Sequence, residues 1–167
     1  MRATPAGVRI RPAERGDLAA VLHLWSHLDA HQARLDPTLA PVEEAVVLWT
    51  AEFKSILRDE GVCVRVAETQ GAVVGLVTAH VAVPRPLYAS EPFVFIDEIV
   101  VDPAWRQRGI AGQLVEEVRH WARGLGLARI EARMVAASVE ARAFWRRVGG
   151  NEVAVTVRLG TAPGAPA

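Results

Sequence analysis

The stretch from Phe93 to Arg123 constrains the fold of this chain more than any other part of the sequence. It opens with an apolar, β-branched run, Phe93 to Val101, which is typical of a buried strand. A turn rich in small residues follows, and from Ile110 onward apolar residues recur every three or four positions, as in an amphipathic helix. The small residues of the turn are Gly109, Ala111 and Gly112. A strand that leads through such a turn into a helix predicts a domain of the α/β or α+β class.

The remaining periodicities predict a mixed sheet with helices around it. Five further strands are expected at Val8–Arg11, Val62–Glu68, Ala72–Val83, Arg129–Val135 and Glu152–Leu159. Three further helices are expected from Asp17 to Arg34, from Val42 to Asp59 and from Val139 to Val148. Thr69-Gln70-Gly71 is a hairpin connection between antiparallel strands, and three prolines between 84 and 92 predict a surface loop. Residues 1–160 are expected to form one domain and 161–167 a disordered tail.

Composition limits the possible partners and locations. The 167 residues suffice for one compact core, and 19 lysines and arginines balance 19 aspartates and glutamates. No net field therefore favours nucleic acid or an anionic membrane. No apolar run resembles a signal peptide or a membrane span, and Cys63, the only cysteine, lies in an apolar strand. A cytoplasmic protein without nucleic-acid or membrane partners is expected.

The turn before Ile110 has the features of an anion site. The first amides of a helix have no intrahelical acceptor, and the helix dipole places partial positive charge there. A tight turn with no ligand is the alternative interpretation. A Walker A loop is excluded because no Gly-Lys-Ser/Thr triplet occurs. A dinucleotide fingerprint is disfavoured, since Ala111 and Leu114 stand where its second and third glycines belong.

Two motifs in this order resemble those of the GNAT superfamily of N-acetyltransferases. Arg106-Gln107-Arg108-Gly109-Ile110-Ala111 matches the Arg/Gln-x-x-Gly-x-Gly/Ala signature directly after a strand. Ser138 to Gly149 is similar to the Asn-x-x-Ala-x-x-Phe/Leu-Tyr/Trp-x-x-x-Gly segment. The resemblance extends over residues 8–159. It implies a mixed, mostly antiparallel sheet of six to seven strands, in which the fourth and fifth splay apart, with about four flanking helices.

The resemblance also implies acetyl-CoA as co-substrate. Backbone groups near Ile99 to Val101 would pair with the pantetheine arm, the amides from Arg108 to Gly112 would bind the pyrophosphate, and residues 138–145 would flank the thiol. The residues implied to bind the cofactor are Ile99, Val100, Val101, Arg106, Arg108, Gly109, Ile110, Ala111, Gly112, Ser138, Phe144 and Trp145. Ser138 departs from the usual asparagine, Trp145 from the tyrosine acid of many members, and Gly150 from a frequent phenylalanine.

Acetyl transfer to an amine requires a proton acceptor, because a lysine-like ammonium titrates near pH 10.4. Asp97 and Glu98 lie on the strand that the family uses to position the acetyl group, and strand alternation is expected to send them to opposite faces. Glu98 is the preferred base and Asp97 its alternative, although either carboxylate could be purely structural. Tyr88, the only tyrosine, is a candidate acid but is more consistent with a wall of the substrate site. The resemblance further implies that an amide of Val100 or Val101 stabilises the oxyanion.

His23, His27 and His31 repeat every fourth residue of the first predicted helix. Their rings share one side, which suits a metal ion, but no ligating carboxylate motif accompanies them. We therefore expect no metal and place His31 at the acceptor cleft.

The predicted activity is direct transfer of acetyl from acetyl-CoA to a primary amine of a small molecule or peptide in a ternary complex, by a possible homodimer. A non-catalytic acyl-CoA sensor and a protein lysine or N-terminal acetyltransferase are the alternatives.

Overall fold

A computed structural model describes residues 7–87 and 89–159 of the chain. The strands are β1 (Arg9–Pro12), β2 (Val62–Thr69), β3 (Ala72–Ala82), β4 (Phe93–Val101) and β5 (Ile130–Ala132). The helices are α1 (Leu18–Leu35), α2 (Ala45–Ile56), α3 (Ile110–Gly124) and α4 (Val139–Arg147). The mixed class and the four helices are as predicted. No helix in the described part of the chain is long and apolar enough to cross a bilayer.

The five strands form one sheet in chain order, from β1 at one edge to β5 at the other. The first four are antiparallel neighbours, and β4 and β5 run parallel. A parallel pair requires a crossover, and α3 supplies it. The β2–β3 hairpin turns at Gln70 and Gly71, both with positive φ.

Each face of the sheet has its own apolar core. Helices α1 and α2 cover one face, where Leu24 and Phe53 pack on strand residues such as Leu76. Helix α3 covers the other face, where Leu114 and Val118 pack with Cys63 and its neighbours. Cys63 is fully buried, as predicted, and burial raises the pKa of its thiol. The sheet is thus enclosed between two helical layers. Strand β4 carries the candidate catalytic residues Asp97 and Glu98.

A β-bulge interrupts the pairing of β3 with β4. Thr78 pairs with Glu98 and Ala79 with Ile96, so that Asp97 has no partner across the strand. A bulge of this kind sets two residues of one strand against one of the next and increases the local twist.

The β4–β5 pairing stops where this bulge begins. Strand β5 pairs only with Val94 to Ile96, and beyond them the edge of β4 from Asp97 to Val101 has no strand partner on that side within residues 7–87 and 89–159. The predicted separation of the fourth and fifth strands is therefore confirmed. Strand β5 is also shorter than the predicted strand Arg129–Val135.

The strand predicted at Glu152–Leu159 is wrong, and five strands replace the expected six to seven. Residues 151–159 form no regular structure, although apolar residues occupy every second position there. Those residues are Val153, Val155, Val157 and Leu159, each at least 74% exposed. An alternating pattern yields a strand only where a sheet edge and a covering layer receive it, and this segment has neither. Instead, Arg158 forms a two-pronged ion pair with Asp36 after α1. The predicted tail at 161–167 lies outside the described residues.

Candidate active site

The turn between β4 and α3 presents a row of free backbone amides. Gly109, the residue before α3, has φ of +82°, and Gln107 has φ of +60°. The backbone therefore adopts left-handed conformations just before the helix begins. Within the described part of the chain, the first amide of α3 with a backbone acceptor is that of Gln113, bonded to the Gly109 carbonyl at 3.2 Å. The preceding amides are available to a ligand. Apart from the adjoining backbone of α3, a Cβ at Gly112 would meet no heavy atom of residues 7–87 and 89–159 within 4 Å, which leaves the approach open.

Two arginines stand beside this turn. Arg106 Nε donates to the Val101 carbonyl at 3.1 Å, which fixes the guanidinium against the end of β4. The Arg108 guanidinium lies over the Trp105 ring, 4.8 Å from its centroid, and is exposed. Positive charge, free amides and the N-terminus of a 15-residue helix therefore converge on one concave turn.

Glu98 is held on the α1/α2 face of β4 by three hydrogen bonds. The indole N–H groups of Trp25 in α1 and Trp49 in α2 each donate to Oε1 at 3.1 Å. Thr78 Oγ1 on β3 donates to Oε2 at 3.3 Å. Four elements thus converge on one carboxyl group.

Burial raises the pKa of the Glu98 carboxyl above its usual value, and the bonds from Trp49, Thr78 and Trp25 oppose that rise without cancelling it. The burial penalty favours the neutral acid, whereas the donors favour the carboxylate. A carboxylate with a raised pKa accepts a proton more strongly than an exposed one. A buried carboxyl with a raised pKa is a candidate general base, so Glu98 remains the preferred candidate for that role.

Asp97 lies on the same side of the sheet as Glu98, so the prediction that strand alternation separates them is wrong. The Asp97 carboxylate is 2.8 Å from His80 Nδ1, and His80 is two residues along β3 from Thr78, the partner of Glu98. The bulge cancels one step of alternation, as Ile96 and Val100 confirm: they are four residues apart and pack on opposite faces. Asp97 and His80 are both solvent-exposed, unlike Glu98.

A cleft lies between α1 and the start of α2. Trp25 and Trp49, whose indoles bond to Glu98, line it together with Leu48, Asp29 and Glu52. Glu98 itself is not among the lining residues and lies behind the two indoles as seen from their hydrogen bonds. Burial raises the pKa of Asp29, whose buried Oδ2 has no hydrogen-bond partner among the described residues. Aromatic surface flanked by carboxylates suits an organic cation.

Other predicted site residues have local roles. Ser138 is buried at the start of α4, where its hydroxyl accepts from the Ala141 amide at 3.2 Å as an N-cap. Phe144 and Trp145 stack edge-to-face, with centroids 4.9 Å apart, and Trp145 packs on the α3-side core. His31 is half-buried on α1 but is not among the residues lining the cleft. Tyr88 lies outside the described residues.

The sequence did not identify the partners of Glu98. Trp25 and Trp49 appear in it only as members of apolar helical stripes. Their N–H groups gain a role because a buried indole needs an acceptor, and the carboxylate needs donors. Thr78 and His80 follow from the β3–β4 register, which no local pattern specifies.

Removing one indole donor is expected to shift the pH dependence of any reaction that uses Glu98 as base. Trp49→Phe deletes a bond that lowers the pKa of Glu98, so the pKa rises further. Since the base works deprotonated, the acidic limb of the kcat/KM profile moves to higher pH. The check is a pH–rate series on Trp49→Phe beside Trp105→Phe, which has no contact with Glu98. A profile that only drops in height, with its acidic limb in place, would contradict this account.

Comparison with known families agrees with this geometry. A model of the acetyltransferase (GNAT) family matches residues 25–150, most of the chain. The chain belongs to the GNAT acetyltransferase family. It has the GNAT fold, as the two motifs predicted.

Individual relatives share the fold with low sequence identity. An aminoglycoside N(6')-acetyltransferase type 1 from Salmonella typhimurium strain LT2 is 32% identical over 80 residues, which cover 46% of this chain and 53% of that protein. The chain thus aligns with about half the length of this curated relative. The aminoglycoside 6'-N-acetyltransferase AAC(6')-IG from Acinetobacter haemolyticus superposes with a TM-score of 0.74 at 18% identity, covering 93% of this chain and 99% of that one. The CoA complex of AAC(6')-Iy gives 0.71 at 21% identity, covering 92% and 94%.

Proposed function

We propose that the protein transfers the acetyl group of acetyl-CoA directly to a primary amine, in a ternary complex of enzyme and both substrates. One observation carries the proposal: two indoles that line the cleft, Trp25 and Trp49, both donate to the buried carboxyl of Glu98, on the strand that leads into the amide-lined turn. A candidate base on β4 is thereby connected to an acceptor cleft on one side and to a candidate phosphate-binding turn at the end of its strand.

The donor half of the site suits the two ends of acetyl-CoA. The amides from Arg108 to Gly112 and the Arg108 guanidinium supply donors and charge for a pyrophosphate. The unpaired edge of β4 offers main-chain groups to the amides of a pantetheine arm, which would extend the sheet there like an added strand. A relative with the same fold is known as a CoA complex, which supports this assignment.

An ammonium loses two protons as it becomes an amide, one before the nitrogen attacks the thioester and one from the adduct. At pH 7 an ammonium with a pKa near 10.4 costs roughly 4 to 5 kcal/mol to deprotonate. Glu98 accepts the first proton, directly or through a water, and the amine nitrogen forms a bond to the thioester carbonyl carbon. The oxyanion lies against an amide of Val100 or Val101. The carbon–sulfur bond then breaks to release the thiolate, and the second nitrogen proton passes to that thiolate or to water. A thiolate with a pKa of about 8.5 departs without a dedicated acid, so Trp145 in the tyrosine position is no obstacle.

The acceptor is proposed to be a polyamine of the aminoglycoside class. The cleft sets Asp29 and Glu52 around two indoles, so that charges on a polycationic substrate meet carboxylates while its rings meet aromatic surface. The Salmonella relative is an aminoglycoside acetyltransferase, which supports the same class. Lysine side chains and N-terminal amines are the alternative acceptors. A sensor without catalysis is the second alternative, which the amine panel below distinguishes from an enzyme.

Two measurements test the function. Acetyl-CoA or CoA is expected to raise the melting temperature, because a ligand that binds only the folded state stabilises it by RT ln(1 + [L]/Kd), about 2.7 kcal/mol at 100 times Kd. Aminoglycosides, polyamines, amino acids and peptides are then compared for acetyl-CoA-dependent thiol release. No thermal shift at millimolar acetyl-CoA would refute donor binding. A shift without turnover on any amine would favour the sensor.

A further inference from the structure

The structure brings together three potential metal ligands on the outside of α1. His23 Nε2 and His27 Nε2 lie 3.3 Å apart, one helical turn from each other. The carboxylate of Asp102, the residue after β4, lies with its Oδ2 3.9 Å from His23 Nε2. One ligand atom from each residue falls within 4.8 Å of the other two. The carboxylate that the sequence did not place beside these histidines is therefore supplied by the fold.

We propose that His23, His27 and Asp102 form a binding site for a divalent transition-metal ion, with Zn²⁺ as its representative ligand. Two imidazoles and one carboxylate are a donor set that Zn²⁺ accepts, with bonds of about 2.0 to 2.2 Å. Ligands at that distance around a tetrahedral ion stand roughly 3.4 Å apart. The two imidazole nitrogens already have this separation, and the carboxylate needs to move inward by roughly 1 Å.

The backbone holds two of the three ligands in place. His23 and His27 are at i and i+4 of an 18-residue helix, so their side chains leave the same side of α1. Asp102 is anchored by its other oxygen, because Oδ1 accepts from the Ala104 amide at 2.8 Å and leaves Oδ2 directed at the histidines. The Asp102 amide also bonds to the Val74 carbonyl at 2.9 Å. His23 is mostly exposed, which gives an ion access and leaves room for a water as fourth ligand.

The site would join two parts of the domain. Helix α1 carries Trp25, which bonds to Glu98, whereas Asp102 opens the connection from β4 to the amide-lined turn. A metal bound by both would tie the wall of the acceptor cleft to the segment that leads to that turn. Its expected effect is stabilisation of the folded protein, independent of any catalytic use of the ion.

The third histidine of the series provides a matched control. His31 lies on the same helix at the same spacing but is not in the cluster. His80, paired with Asp97 at 2.8 Å, is the competing histidine–carboxylate pair on the sheet. Substitution of each histidine by alanine therefore distinguishes the proposed site from the other two places where an imidazole could bind the ion.

The experiment is a zinc titration of the metal-free full chain, by calorimetry and by competition with a chromophoric chelator. One Zn²⁺ per chain is expected, with a rise in melting temperature. His27→Ala, His23→Ala and Asp102→Asn should each lower the affinity by at least about tenfold, since loss of even an outer-shell partner costs that much. His31→Ala and His80→Ala should keep it within about twofold, by the same reasoning. Co²⁺ should show the intense visible absorption of a four-coordinate site, lost in His27→Ala.

Three results would overturn the proposal. They are the absence of zinc binding at millimolar ZnCl₂, an affinity that His27→Ala leaves unchanged, and an affinity that His31→Ala or His80→Ala lowers as much as His27→Ala does. Circular dichroism of each variant separates loss of a ligand from loss of folding, because the exposed His23 side chain is not part of either core.

Discussion

Replacing Glu98 with glutamine is expected to lower kcat for amine acetylation by about 10²- to 10⁴-fold near pH 7, the usual contribution of a positioned general base. Glutamine has the shape of the carboxyl group and still accepts hydrogen bonds from Trp25 and Trp49, but it takes up no proton from the ammonium. The affinity for acetyl-CoA should stay the same, because the proposed donor contacts lie on the turn and on the main chain of β4. Single-turnover kinetics with saturating acetyl-CoA would measure the loss in the chemical step.

The stability of this variant separates catalysis from folding. Burial raises the pKa of Glu98 in the folded state, so the ionised carboxylate destabilises the protein once the pH exceeds the unfolded pKa. Removing the charge should leave the melting temperature at pH 7 equal to or above that of the wild type. A lower melting temperature would mean that the lost activity reports damage to the cleft.

Asp97→Asn is the matched control, because Asp97 is adjacent on the same face of β4 yet bonds to the exposed His80. It should retain most of the activity. If Asp97→Asn abolished turnover while Glu98→Gln preserved it, the base would be Asp97 acting with His80. Each variant should also be assayed at high pH, where more of the amine is already neutral and the penalty for losing the base shrinks.

The sequence predicted this region well wherever the signal is local. The β4 strand and the start of α3 were predicted at their observed residues, because a β-branched run, a glycine with positive φ and a period of 3.6 are each specified within a few positions. The two family motifs lie in the same region. Cofactor contacts inferred from those motifs remain predictions, although the free amides of the turn are compatible with them.

The face of β4 that carries the candidate base was harder to predict, because a bulge determines it. One unpaired residue, Asp97, changes the side to which its neighbour points, and nothing in the run Ile96-Asp97-Glu98-Ile99 distinguishes a bulge from a regular strand. The indole donors on Glu98 depend on how α1 and α2 cross the sheet. Glu98 is 73 residues from Trp25 and 49 residues from Trp49 in the sequence. Sequence periodicity is read over far shorter stretches, so it cannot predict these contacts.

The C-terminal segment shows the opposite failure. Its alternating valines are the local signature of a strand, yet the segment has no sheet partner in the described structure. β-propensity expresses a fit to a pleated, half-buried surface, so it predicts a strand only when that surface exists. The position of Asp102 beside His23 likewise depends on tertiary structure. No local pattern in the sequence indicates that these two residues lie together.

Replacing Gly112 with glutamate is expected to weaken acetyl-CoA binding by about 10- to 100-fold, through repulsion of roughly 1.4 to 2.8 kcal/mol between the new carboxylate and a pyrophosphate at the turn. Gly112 is the third residue of α3, and a Cβ there would meet no atom within 4 Å. The fold should therefore accept the change. It should even gain stability, because glycine is poor inside a helix and a carboxylate near the N-terminus interacts favourably with the helix dipole.

Gly112→Glu is therefore expected to change stability and CoA affinity in opposite directions. The melting temperature of the free protein should rise by roughly 2 to 4 °C per kcal/mol gained, while the affinity for CoA falls. Gly112→Gln has nearly the same volume without the charge, so its affinity should lie closer to that of the wild type. The gap between the two variants should narrow as the salt concentration rises, since added ions screen the repulsion. Calorimetric titration with CoA at two ionic strengths measures both quantities. Equal losses for glutamine and glutamate would indicate that the side chain blocks the turn sterically, and an unchanged affinity for glutamate would mean that the pyrophosphate binds elsewhere on the protein.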